Sequence, residues 1–421
     1  MEEFKRKRMA SLIVGMLCEV LCGIIYAFSV FQGPLIEKFG WSVSQVALAF
    51  TINGIIGMVC SVLFGAKLKK MLSTKNEVLI GAFFYGGALI LMSFMTGKIW
   101  ELYVYFSVFN AIGNLMIYPV LTSYALELFP ERTGFAGGMM TAGYGLGAVL
   151  WAPTVTALTA ATGDIGRACL ILGIFFLIGL AVLSRFLLTP PEGFRDYMLA
   201  GTASTKRQED PREVIYEADR SQMVRLPIFY IMMITITLVL ACGGMIINQG
   251  SPIMQHQFGL TAGAAAAIVS FLAIANTIGR LVWGNVSDKV GKIKTMILIQ
   301  AVMAVIMLLL FMLVHNQMLF TIVLMGTTFC YGGAACLVAP ITEEVFGSKN
   351  IGGNYSVTFS VFGFSGLIGP VVISSIRQST GEYHLGFLVA CVLAVVAFVL
   401  SIVMEGIIKA RKKQPVAQKV A

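Results

Sequence analysis

Charge is what this sequence has least of. Asp, Glu, Lys and Arg make up 12% of its 421 residues, while 57% are hydrophobic. A soluble domain carries about twice that share of charge, so a water-exposed globule is excluded. Histidine is nearly absent, at three residues. No set of His, Cys, Asp and Glu stands at metal-ligand spacing, and the eight cysteines fall inside apolar runs, so neither a metal centre nor a disulfide framework is implied. The chain also lacks a phosphate-binding P-loop, a dinucleotide fingerprint and any nucleophile–base spacing. These absences argue against ATP-driven pumping, against a bound cofactor and against an enzyme. No appended signalling domain supports a sensor.

What the chain has instead is long apolar runs. Twelve recur, at roughly 9–31, 43–66, 77–95, 99–124, 134–160, 166–189, 227–249, 262–285, 294–314, 317–345, 351–375 and 385–409. Each is long enough to cross about 30 Å of hydrocarbon. Each must be helical, because lipid offers no other way to satisfy the backbone polar groups. The first run is too long for a signal-peptide core and lacks a clear cleavage site, so it reads as a retained span.

The net charge of +9 reports topology. With the N-terminus placed in the cytoplasm, 25 of the 30 Lys and Arg fall on that side. Four (Lys38, Lys98, Arg167 and Arg377) fall on the other. This is the positive-inside asymmetry, and it predicts a multi-pass protein of the plasma membrane with both termini cytoplasmic. Nucleic acid is not an expected partner. Arg280 is the remaining cation. It is the only charge in AGAAAAIVSFLAIANTIGRLVWG (262–284), at an insertion cost of about 3 kcal/mol or more. A guanidinium in a low-dielectric cavity is a forked receptor for a carboxylate.

A polar stretch at 190–226 divides six runs from six, which predicts an N-terminal six-helix bundle (1–189), a cytoplasmic linker (190–226) and a C-terminal six-helix bundle with a tail (227–421). A weak internal repeat relates the halves. QGPLIEKFGWS (32–42) matches QGSPIMQHQFGLT (249–261). Setting Gly40 on Gly259 sets Gly65 on Gly284, while Phe129 and Pro153 correspond to Phe346 and Pro370. Two parallel six-helix repeats with a binding site at their interface is a transporter architecture.

The segment GNVSDKVGKIK resembles the G-x-x-x-D-x-x-G signature of the major facilitator superfamily, with Gly284, Asp288 and Gly291 in place. The corresponding GAKLKKML keeps Gly65 but has Lys69 where the Asp stands. GIIYAFSVFQGPL, FPERTGFAGGM and FGSKNIGGNYSVTF…GLIGP resemble the oxalate/formate antiporter branch, which neighbours the monocarboxylate transporters. The resemblance spans essentially the whole chain. It implies the major facilitator fold, an all-α membrane protein of twelve helices, with Gly284–Asp288–Gly291 as its gating motif.

Around Arg280 the candidate site assembles from residue types. Asn276 lies one turn earlier on the same helical face, where the monocarboxylate transporters resembled here often carry an Asp. Asn110, Asn114 and Tyr118 form a polar stripe on the fourth run, and Asn114 corresponds by the repeat to Tyr331. The competing explanation for these amides and phenols is interhelical hydrogen bonding. Tyr26, Phe28, Phe359 and Phe362 are candidate walls. Glu19 is the one acid deep in a run and the candidate proton carrier, with a protonated structural Glu as the alternative.

Phe362 narrows the ligand. In the oxalate-transporting relatives, the corresponding span carries a Lys eight residues after its Asn. Here that count runs from Asn354 to Phe362. A dicarboxylate held by Arg280 alone would keep one anionic group unpaired in low dielectric, at several kcal/mol. The expectation is a monomeric carrier of small monocarboxylates such as lactate or pyruvate. Proton symport is expected, because anion entry otherwise opposes the membrane potential. An oxalate/formate-type organic anion exchanger is the alternative.

Overall fold

The structure is a computed structural model and is described over residues 1–203, 215–313 and 315–412. Among these residues every regular element is helical. Twelve helices are long and apolar enough to cross a membrane: α1 (Glu2–Ala27), α2 (Gln45–Gly65), α3 (Thr74–Ser93), α4 (Ile99–Leu128), α5 (Pro130–Thr162), α6 (Ile165–Arg185), α7 (Pro227–Ile247), α8 (Ala267–Val290), α9 (Lys292–Met312), α10 (Gln317–Phe346), α11 (Ile351–Thr380) and α12 (His384–Lys412). The helix of α1 begins seven residues before the apolar run does, because Glu3–Lys7 pairing at i,i+4 supports a charged first turn. Helix α7 continues past its apolar stretch to Phe258.

The chain forms two compact units. One comprises Met1–Pro130 and Met139–Met198, the other Glu131–Gly138 and Leu199–Ala421. The middle of the linker expected at 190–226 lies outside the described residues, as does most of the C-terminal tail. The described linker flanks are tied down locally. In the first unit Phe194 packs edge-on against Phe4 at 4.6 Å. In the second, the amides of Tyr216 and Ala218 donate to the carbonyls of Val345 and Phe346 at 2.9 and 3.2 Å.

The repeat is visible in the backbone. The helices ending at Phe39 and Phe258 both stop on a left-handed glycine, Gly40 (φ 69°) and Gly259 (φ 64°). Only glycine adopts that geometry without strain. Two residues later the next helix begins on a hydroxyl cap, with Ser42 accepting from the Gln45 amide and Thr261 from the Ala264 amide. Pro153 and Pro370 both lie inside helices, α5 and α11.

Within the first unit α1 is broken. Its last turns, Gly23–Ala27, tighten to a 3-10 helix, which alters the pairing of the carbonyls before them. Trp151 Nε1 donates to the Val20 carbonyl at 2.7 Å, and the Tyr85 hydroxyl donates to that of Cys22. A Cβ on Gly147 would stand 2.5 Å from Gly23 Cα and 2.6 Å from the Val20 oxygen, so α1 and α5 cross on bare backbone. Beyond the spans, Lys38 pairs with Asp164 at 2.5 Å, and this ammonium holds the Asp164 carboxyl below its ordinary range.

Candidate functional site in the two units

In the second unit, α8 and α10 cross at glycines. Gly279 lies against the Phe329 carbonyl and Gly332 against the Asn276 carbonyl, with no room for a Cβ at either. This close approach seats Arg280 and Asn276 beside the Tyr331 segment. Arg280 is 1% exposed, and its Nε donates to Asn276 Oδ1 at 3.3 Å. The amide therefore orients the guanidinium. Tyr331 is buried, and its ring lies over Gly243 of α7. Phe359 and Phe362 pair at 5.2 Å on α11, where the helix breaks between Thr358 and Ser360.

Asp288 lies about two turns beyond Arg280 on α8. Its carboxylate accepts from the Gly134 and Phe135 amides at 2.8 and 2.7 Å, capping the N-terminal end of the α5 helix, where an anion meets unpaired N–H groups and the positive end of the helix dipole. Gly284 permits this approach, since a Cβ there would stand 2.5 Å from the Gly134 oxygen. Gly291 turns the chain at φ 101°. In the first unit Lys69 occupies the corresponding place. It lies 3.7 Å from Glu127, and a cation cannot cap a helix N-terminus.

The first unit gathers Tyr26, Asn114 and Tyr118 around one side chain that sequence reasoning did not select, Tyr144 of α5. Its hydroxyl donates to Asn114 Oδ1 at 3.1 Å. Its ring stands edge-on to Tyr26 and Tyr118, at 5.2 and 4.5 Å. The only signal for Tyr144 was its place in GYGLG, which reads as helix packing. Asn110 separates from the stripe and accepts from Asn53 Nδ2 at 3.2 Å. Phe28 is stacked on Phe106 at 4.2 Å and near Phe50. Glu19 is fully buried, and a Cβ on Gly143 would stand 3.3 Å from its own Cβ.

Each unit therefore holds its own polar cluster. The second presents a buried, oriented cation. The first presents amide and phenol groups. A buried, oriented guanidinium suits an anionic ligand by its charge. Among the described residues no group of His, Cys, Asp and Glu is arranged to hold a metal ion.

The profile of the Major Facilitator Superfamily matches residues 12–370 and 233–420. The oxalate:formate antiporter of Oxalobacter formigenes is 25% identical over 404 residues, covering 93% of this chain and 89% of that protein. Human monocarboxylate transporter 12 is 23% identical over 399 residues, covering 90% and 76%. The solved structure of the proton:xylose symporter XylE superimposes with a TM-score of 0.74 at 14% identity, covering 94% of this chain and 95% of that one. That of the E. coli fucose:proton symporter FucP gives 0.68 at 13%, covering 94% and 99%. At such identities the structures speak for the fold alone. A family profile along nearly the whole chain and a twelve-helix fold shared with solved members place this protein in the major facilitator superfamily, as a multi-pass membrane transporter and not an enzyme.

Proposed function

We propose that this chain carries small monocarboxylates, lactate- or pyruvate-like, by proton-coupled symport and alternating access. Arg280 grips the carboxylate, and Asn276 orients the grip. Tyr331, Tyr118 and Asn114 supply hydrogen bonds, while Tyr26, Phe28, Phe359 and Phe362 offer apolar surface to a short alkyl chain. Glu19 carries the proton. Asp288, with Gly284 and Gly291, acts in gating. The protein works as a monomer in the plasma membrane with both termini in the cytoplasm, the side that holds 25 of 30 basic residues. The observation that carries the substrate class is one buried, amide-oriented guanidinium together with an aromatic ring at position 362. One fork neutralises one carboxylate, and a second would remain charged in low dielectric.

Symport follows from the electrical cost. An anion entering a negative-inside cell works against about 2.3 kcal/mol per 100 mV, and a co-transported proton cancels that charge. The rival reading is exchange of two organic anions, favoured by the likeness to an oxalate:formate antiporter. Proteoliposomes separate them. A symporter accumulates lactate in empty vesicles when an inward proton gradient is imposed. Accumulation that requires a preloaded acid and ignores the pH gradient rejects symport.

A further inference from the structure

Tyr144 touches three of the candidate site residues in the first unit, and its own position is tightly set. It is 6% exposed. Its backbone carbonyl lies against Gly23, where no Cβ fits. Its ring is wedged edge-on between Tyr26 (82°) and Tyr118 (72°). The position of its hydroxyl oxygen is therefore set from both ends, by packed rings and by a bare-backbone helix crossing. That O–H is spent on the carbonyl oxygen of the Asn114 amide, at 3.1 Å.

An asparagine side chain has two unlike ends, an accepting oxygen and a donating NH2. A carboxylate can be served only by the NH2; the oxygen would set its negative end against the anion. A phenol bonded to the oxygen decides between the two orientations. We propose that Tyr144 is a positioning residue, whose hydroxyl holds the Asn114 amide with its NH2 group presented to the transported carboxylate. This rests on the reading that Asn114 faces the substrate. It adds a reason why an amide, which is equally able to repel an anion, acts as a donor here. It also adds a residue that acts on affinity through another side chain.

The test is a double-mutant cycle on the full-length protein, with L-lactate as the probe and the ligand-free thermal midpoint as the fold control. Tyr144→Phe removes one oxygen and keeps the ring between Tyr26 and Tyr118. It is expected to weaken L-lactate binding by about fivefold, the worth of one hydrogen bond, with maximal transport rate within about twofold. Asn114→Ala is expected to weaken binding by at least as much. In the Asn114→Ala background, adding Tyr144→Phe should change binding by less than about twofold, because the partner through which it acts is gone. Two full, independent losses in the double variant overturn the positioning role, as does a Tyr144→Phe protein that binds normally while Asn114→Ala does not. If Asn114→Ala binds L-lactate normally, the substrate-facing reading of Asn114 falls and this inference falls with it. Loss of binding in Arg280→Ala measured alongside then tells whether the rest of the proposed site survives.

Discussion

Replacing Arg280 by lysine keeps the charge and removes the fork. In the structure the guanidinium is buried at 1% exposure and is anchored by Nε on Asn276 at 3.3 Å. Lysine has no counterpart of Nε, so the Asn276 bond is lost, and a single ammonium replaces a planar pair of donors. The Coulombic attraction is largely retained. What disappears is at least one charge-assisted hydrogen bond, worth about 1.5–3 kcal/mol. That converts to a loss of affinity of about 10–150-fold. The assay is L-lactate binding to purified protein, followed by uptake into proteoliposomes under an imposed proton gradient. If Arg280 only stabilised the fold, Arg280→Lys would lower the thermal midpoint and leave the dissociation constant of the surviving protein unchanged. A constant within about threefold of the parent's refutes the grip.

Three further outcomes are expected. Phe362→Lys should allow oxalate to compete with lactate, because a second cation pairs the second carboxylate; a variant in which oxalate competes no better than before removes the one-cation argument. Glu19→Gln should abolish uptake driven by a pH gradient while lactate counterflow continues, and intact pH-driven uptake excludes Glu19 as the proton carrier. Asp288→Asn keeps the shape but loses the charge that accepts from Gly134 and Phe135, so its interaction with the positive end of the helix should weaken by about 1 kcal/mol and the thermal midpoint should fall by about 1 °C; an unmoved midpoint would mean that this charge contributes nothing to stability.

The sequence exposed the spans because the bilayer imposes length and apolarity on each one separately, with no tertiary information needed. It exposed Arg280 for the same reason, as a charge is conspicuous where charge is costly. The left-handed stops at Gly40 and Gly259 were readable as a repeat because no other residue fills that geometry easily. Tyr144 was not readable. Its hydroxyl bonds to Asn114, thirty residues away, and a tyrosine among glycines looks like packing. The break in α1 was hidden likewise, since the donors that satisfy its carbonyls, Tyr85 and Trp151, come from two other spans. Asn110 shows the converse. Its spacing put it on one stripe with Asn114, but a partner on α2, Asn53, takes it out of that group.

The two halves share a backbone plan and differ in chemistry. Matching Gly65 to Gly284 sets Arg280 opposite Ser61, Asn276 opposite Gly57 and Asp288 opposite Lys69. Where the matched residue serves geometry, as at Gly40 and Gly259, both copies keep it, because any side chain there strains the turn in either half. Where it serves charge, one copy suffices. A second arginine at position 61 would add about 3 kcal/mol of insertion cost and, with no second carboxylate to meet, would remain an unpaired cation in low dielectric. A symmetric scaffold is therefore compatible with a one-sided site, and for a monocarboxylate the asymmetry is required. The anion has one charged end and one apolar end, so it calls for a guanidinium at the first and rings or neutral hydrogen-bonding groups at the second. A symmetric pair of cations would instead suit a dicarboxylate.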